Sequence, residues 1–189
     1  FLTGLDIGSH SVRMVIGQMA DHGEKEALQI IAAVEVPSNG VSKGIITSIE
    51  DATAAISSCI ERVERMIGTQ MKSAWVGISG GQIISSDSNG VVPVAKPDGE
   101  IREEDMERAL DAARTVATPL NYEILHVIPR SFTVDGQANI RDPLGMNGIR
   151  LEVDAQIIQG LPAQIKNLTK CVYRTGLDIE DLDLSILAT

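Results

Sequence analysis

The eight residues Gly4-Leu5-Asp6-Ile7-Gly8-Ser9-His10-Ser11 constrain what this chain can fold into more than any other stretch. They join two strand-like runs, Thr3 to Asp6 and Val12 to Met19, with no room for a helix between them. Two strands meeting at a glycine corner read as a hairpin at the start of a sheet. Gly8 permits a tight bend and a close approach of backbone. The amides of Ser9, His10 and Ser11 can then point into one concavity, a nest suited to phosphate oxygens, with the Ser9 hydroxyl as a further donor. Asp6, at the strand end, is placed to hold Mg²⁺ through water, because magnesium keeps much of its hydration shell. An ordinary hairpin, in which Asp and Gly only make the turn, is the alternative that the spacing leaves open. The corner is not a P-loop, since GxxxxGK[ST] is absent, nor a GxGxxG turn opening a helix, since strand follows strand.

A third strand is expected from Leu28 to Val36, after a turn at Asp21-His22-Gly23. A helix follows from Ile49 to Ile67, with Ile49, Ala52, Ile56, Cys59, Val63 and Met66 on one face. Ser48 and Asp51 make a capping signature before it, and Gly68 is a natural stop. Trp75 to Ile78 reads as a buried strand. From about Gly80 the texture changes to an α+β unit. Asn89-Gly90 suggests a hairpin turn. Arg102 to Val116 is a helix with Met106, Leu110, Ala113 and Val116 inward and a wet charged face. Glu123 to Val134 and Ile149 to Gln159 are long strands. The last third returns to α/β. A helix opens at Pro162, with Ile165, Leu168 and Val172 inward, and stops at Gly176. The acidic run Asp178, Glu180, Asp181, Asp183 reads as a solvated turn before a strand at Asp183 to Leu187.

Charge excludes some functions. The 189 residues carry a formal net charge of −10 and no stripe of Lys and Arg, which argues against a nucleic-acid binder. Anionic membrane surfaces should repel it, and no apolar run is long enough to span a bilayer. Cys59 and Cys171 fall on helical patterns without CxxC spacing and read as buried free thiols. His10, His22 and His126 are too scattered for a zinc site, and His126 has no Ser or Cys nucleophile to pair with from sequence. The chain starts at Phe1 rather than Met and ends at Ala188-Thr189, and reads as part of a longer protein.

The corner, followed by Val12 and a strand, resembles the first phosphate loop of the actin, Hsp70 and sugar-kinase superfamily. Three further segments resemble the FtsA family of bacterial cell-division proteins within it. They are Pro37-Ser38-Asn39-Gly40-Val41-Ser42-Lys43-Gly44-Ile45-Ile46; Ile124 to Pro129 with Arg141 to Met146 and Gly148 to Leu151; and Lys170 to Asp178. The resemblance implies an α/β, actin-like (ribonuclease H-like) subdomain 1A from residues 1–80 and 156–189. It also implies an inserted α+β SHS2-type subdomain 1C from residues 81–155.

The same resemblance implies ATP and Mg²⁺ bound between two lobes of the full-length protein. Gly8, Ser9, His10 and Ser11 would lie on the phosphates and Asp6 on hydrated Mg²⁺, with no catalytic residue and at most weak ATPase activity. These 189 residues alone, lacking the second lobe, are expected to bind no cofactor. The family pattern further implies self-association into filaments and tethering of the FtsZ ring. Recruitment of later division proteins such as FtsN would go through subdomain 1C. The place is the cytoplasmic face of the cell membrane at the division site, reached only through a C-terminal amphipathic helix that is not in this sequence. One departure stands out: many relatives carry Lys two places after the loop Ser/Thr, where this chain has Ser11. Two other readings share the corner. A type IV pilus assembly protein resembling PilM has an SHS2-type insertion too. A superfamily sugar or acetate kinase would need a catalytic carboxylate that cannot be assigned here.

Overall fold

A computed structural model describes residues 1–21, 26–95, 97–115 and 119–185. The expected turn at His22-Gly23, the position of Val116 and residues 186–187 of the last strand lie outside the described residues. The chain forms two compact units, Phe1–Gln82 with Ala163–Thr189, and Ile83–Pro162.

The first unit holds a five-stranded sheet of order β11-β6-β1-β2-β3. Its strands are β1 (Leu2–Ile7), β2 (Ser11–Asp21), β3 (Glu26–Pro37), β6 (Ser73–Ile78) and β11 (Asp178–Leu184). A two-residue pair, β4 (Val41–Ser42) and β5 (Ile45–Ile46), follows β3. The first three sheet strands form an antiparallel meander, with Ile7 opposite Val12 across the corner. β6 and β11 add parallel to β1. Parallel neighbours need crossover connections; the helix α1 (Ile49–Ile67) lies in the first and α3 (Pro162–Tyr173) in the second.

Period-two burial gives the sheet one dry face. Leu5, Ile7, Val12, Met14, Ile16, Ala74, Val76 and Ile78 are all buried. α1 packs on β2 and β3 with Ala52, Ala55, Ile56, Cys59, Ile60 and Val63 inward. Each large aliphatic removed from water there contributes about 1.5–3 kcal/mol. Ser48 caps the helix by accepting from the Asp51 amide at 3.3 Å. Gly68 ends it in the left-handed region at φ 71°, its amide bonded to Glu64 O at 2.8 Å. Met66, expected inward, is 62% exposed: the buried stripe of α1 ends at Val63, one turn earlier. Trp75, expected buried, is 46% exposed: within β6 the alternation puts Ala74 and Val76 on the helix side and Trp75 on the other face.

The acidic run differs from expectation too. Asp178 to Asp183 belong to β11 itself, which occupies the sheet edge and carries a register shift between Ile179 and Asp181. Charged side chains on an edge strand oppose unwanted pairing.

The second unit is a four-stranded antiparallel sheet of order β7-β10-β8-β9 with one helix. It comprises β7 (Ile83–Pro93), α2 (Glu103–Arg114), β8 (Glu123–Val134), β9 (Gln137–Ile140) and β10 (Arg150–Gly160). Asn89-Gly90 is not a turn but the middle of β7, paired with Asp154 and Val153. The glycine is there for close packing: a Cβ on Gly90 would lie 2.0 Å from Ala109 O and 2.7 Å from Ala113 N. This contact brings Ala109 and Ala113, both fully buried, onto the sheet, and Ser88 Oγ donates to Ala113 O at 2.7 Å. The inward face of α2 is therefore Asp105, Ala109 and Ala113, while Met106 and Leu110 are half-buried at its flanks. Asp105, expected on the wet face, is only 4% exposed. Its carboxylate accepts from the Arg102 amide at 3.0 Å and pairs with Arg108. The expected unit boundary at residue 155 falls inside β10, whose residues 156–160 continue to pair with β7 and β8; the unit accordingly extends to Pro162.

Candidate functional site

The corner is an exposed bend braced from three sides. The Gly8 amide donates to Ser11 O at 3.0 Å, closing the turn. The Ser38 amide donates to His10 O at 3.0 Å, tying the bend to the end of β3. The Gly44 amide donates to Ser9 Oγ at 2.9 Å. A Cβ at Gly8 would sit 3.0 Å from Ser11 O, so a side chain there would push the bend open. Gly8 is thus a hinge of the turn and its own amide is spent.

The amides of Ser9 and His10 have no hydrogen-bond partner among the described residues, and both residues are exposed. The Ser9 hydroxyl accepts from Gly44, which leaves its proton to donate elsewhere. Three donors are therefore left on one bend. Ser11 does not join them with its side chain: it is 5% exposed and its hydroxyl is bonded to the Glu35 carboxylate. That bond, with Arg13 in support, holds the Glu35 carboxyl below the usual carboxylate range. Across β1 and β2, Arg13 sits opposite Asp6 but pairs with Glu35 at 3.2 Å.

Asp6 projects from the end of β1 on the open face of the sheet, into a cleft of about 450 Å³ shared with Arg13, Trp75, Gly77, Asp183 and Ser185. Its Oδ1 accepts from Ser185 Oγ at 2.9 Å. Its Oδ2 lies 4.0 Å from where a Cβ on Gly8 would be, on the side of the bend. Gly77 makes room for this arrangement: a Cβ there would meet Ser185 Oγ at 2.7 Å and Asp6 Oδ1 at 3.3 Å. One carboxylate oxygen is anchored and the other lies on the side of the bend; a hydrated Mg²⁺ would be held there through water. Among the described residues no group of three or more His, Cys, Asp or Glu is gathered to hold a metal directly. Ser185, Gly77 and the Gly44 amide escaped the sequence reading. Gly77 and Gly44 lie inside segments already singled out there, whereas nothing local to Ser185 signals its contact with a residue 179 positions away.

The thiols lie in the buried core, with Cys59 Sγ donating to Val12 O at 3.7 Å. Cys59 and Cys171 are free and fully buried. Burial pushes Cys59 up to about 11 and raises Cys171 as well.

The profile described as "SHS2 domain inserted in FTSA" matches residues 80–159, the stretch from β7 to all but the last residue of β10. The chain is 40% identical over 184 residues to the cell division protein FtsA of Bacillus subtilis, spanning 97% of this chain and 41% of that protein. The chain is thus similar to FtsA along nearly its whole length. It is 36% identical over 188 residues to FtsA of Pseudomonas aeruginosa, spanning all of this chain and 44% of that one. It therefore spans less than half the length of these FtsA relatives. The fold extends further: a solved structure titled "PilM-PilN type IV pilus biogenesis complex" superposes with a TM-score of 0.61 at 18% identity, covering 99% of this chain and 48% of that one. The sheet of the first unit is thus actin-like and the second unit is the SHS2 insertion. No helix among the described residues is long and apolar enough to cross a membrane.

Proposed function

We propose that this chain supplies the first phosphate loop of an ATP-binding divisome protein, in which bound nucleotide serves assembly rather than turnover. The observation that carries the reading is the bend after Ile7, where the free Ser9 and His10 amides and the Ser9 hydroxyl stand beside the presented oxygen of Asp6. Whole-chain identity to proteins named for cell division supports the biological setting. In this reading the whole protein binds Mg²⁺·ATP and self-associates into actin-like filaments. It tethers the FtsZ ring at the cytoplasmic face of the membrane through regions beyond these residues. The SHS2 unit is the surface for later division proteins such as FtsN. The pilus-assembly reading rests on fold alone.

The test is calorimetry of Mg²⁺·ATP binding to the whole protein. Asp6→Ala and Gly8→Val are expected to weaken affinity about tenfold or more, the scale of losing a charge-assisted contact, with circular dichroism unchanged. Affinity equal to wild type in both variants refutes the phosphate-loop assignment. Depletion of the protein in its host should give filamentous, undivided cells; normal septation refutes the division role.

A further inference from the structure

The bend itself carries no lysine or arginine, and its last residue, Ser11, is committed to Glu35. Yet a lysine sits beside the bend on another segment. Lys43 and Gly44 form the tip between β4 and β5, and the Gly44 amide is bonded to Ser9 Oγ at 2.9 Å. The Lys43 Cα is only two covalent bonds from that amide nitrogen, about 2.4 Å away. An extended lysine side chain reaches about 6 Å from its Cα, which brings the Ser9 hydroxyl within its range.

The tip is held firmly. Gly81 N donates to Lys43 O at 3.3 Å, and Gln82 Nε2 donates to Gly44 O at 3.0 Å. Gly44 stands at φ 77°, where a Cβ would meet Ser79 O at 2.3 Å. Lys43 itself is held at φ 51°, a left-handed backbone that a non-glycine residue adopts at a cost. The surroundings thus fix a lysine, in an unfavourable backbone conformation, directly against the anion nest. Lys43 is exposed and has no ion-pair partner among the described residues.

We propose that Lys43 is the phosphate-binding cation of this site, reaching the nucleotide's phosphate chain from the β4–β5 tip. The inference rests on the phosphate-loop reading above and names a residue that reading does not need. Geometry also assigns it a distinct signature. Asp6 acts on phosphate only through Mg²⁺, whereas Lys43 acts on phosphate directly.

Binding of ATP to the whole protein, measured by calorimetry with excess Mg²⁺ and again with EDTA, separates the two. Lys43→Met keeps the aliphatic stem and removes the charge. It is expected to weaken ATP about tenfold in both conditions, as the loss of one charge-assisted contact does, and Lys43→Arg to restore most of it. Asp6→Ala is expected to weaken ATP in Mg²⁺ but not in EDTA. Wild-type affinity of Lys43→Met, with Asp6→Ala impaired in Mg²⁺, overturns the lysine assignment and leaves the loop reading standing. Wild-type affinity of Asp6→Ala and Gly8→Val in Mg²⁺ overturns the loop reading, and this inference with it. Loss of the native circular dichroism spectrum in Lys43→Met would move the decision to Lys43→Gln and Lys43→Arg. Equal affinity of those two variants overturns the proposal; a tenfold gap in favour of Arg supports it.

Discussion

Replacing Gly90 by Ala should damage the SHS2 unit far more than a single methyl suggests. The new Cβ would lie 2.0 Å from Ala109 O and 2.7 Å from Ala113 N, both backbone atoms of α2 that no rotamer change can clear. Relief requires the helix to retreat by about 1.4 Å to regain ordinary contact. That retreat opens the packing of the fully buried Ala109 and Ala113 against a core that includes Leu151, Val153 and Phe132, and it stretches the 2.7 Å bond from Ser88 Oγ to Ala113 O. Overpacking costs about 1–3 kcal/mol, and a gap of this size forfeits a large part of the dispersion energy at the seam. A total near ~3 kcal/mol follows. Native-state hydrogen exchange reports this unit separately from the other. Amides of β7 and α2 should exchange about a hundredfold faster in Gly90→Ala than in wild type. Gly4→Ala is the control, because nothing lies within 4 Å of a Cβ there; it should leave protection unchanged or slightly raised. Protection in Gly90→Ala within threefold of wild type refutes the close-packing account of this glycine.

Ile56→Ala, at a fully buried position of α1, should cost the first unit about 2–5 kcal/mol, read by urea titration. Ser48→Ala removes the acceptor for the Asp51 amide and should cost about 1 kcal/mol in the same assay, with Ser48→Asp restoring it. Cys59 bears on alkaline stability. Its thiol is raised from 9.0 to about 11 in the folded protein. Above pH 9 the unfolded chain loses this proton while the native state keeps it, so unfolding binds fewer protons and stability falls with rising pH. The loss should approach about 2–3 kcal/mol by pH 11 and shrink in Cys59→Ala. Native Cys59 should also resist iodoacetamide at pH 8 until denaturant is added.

Local chemistry made much of this molecule legible in its sequence. The period of α1, its Ser48 cap and its Gly68 stop are near-neighbour effects, and the structure places that helix at Ile49–Ile67 as expected. The hairpin at Gly8 and the start of α3 at Pro162 are local in the same sense. What escaped was decided by distant partners. Asn89-Gly90 has the composition of a turn, but α2 needs a residue without a Cβ in the middle of β7. Trp75 looks like core until the two faces of the sheet are told apart. Asp105 reads as a surface charge in an acidic first turn, yet its bonds to the Arg102 amide and Arg108 let it turn inward. At the candidate site the bend was visible. The fixing of Asp6 by Ser185 was not, because its cause lies at the far end of the chain.

The central claim is that unbonded main-chain amides after Ile7 receive the phosphates. Nitrogen–proton correlation spectra of the whole protein, recorded while Mg²⁺·ATP is added, test it at the atoms concerned. The Ser9 and His10 amides should shift downfield in proportion to occupancy, while the Gly8 amide, already bonded to Ser11 O, stays close to its starting position. Saturable ATP binding with Ser9 and His10 unmoved would contradict the account.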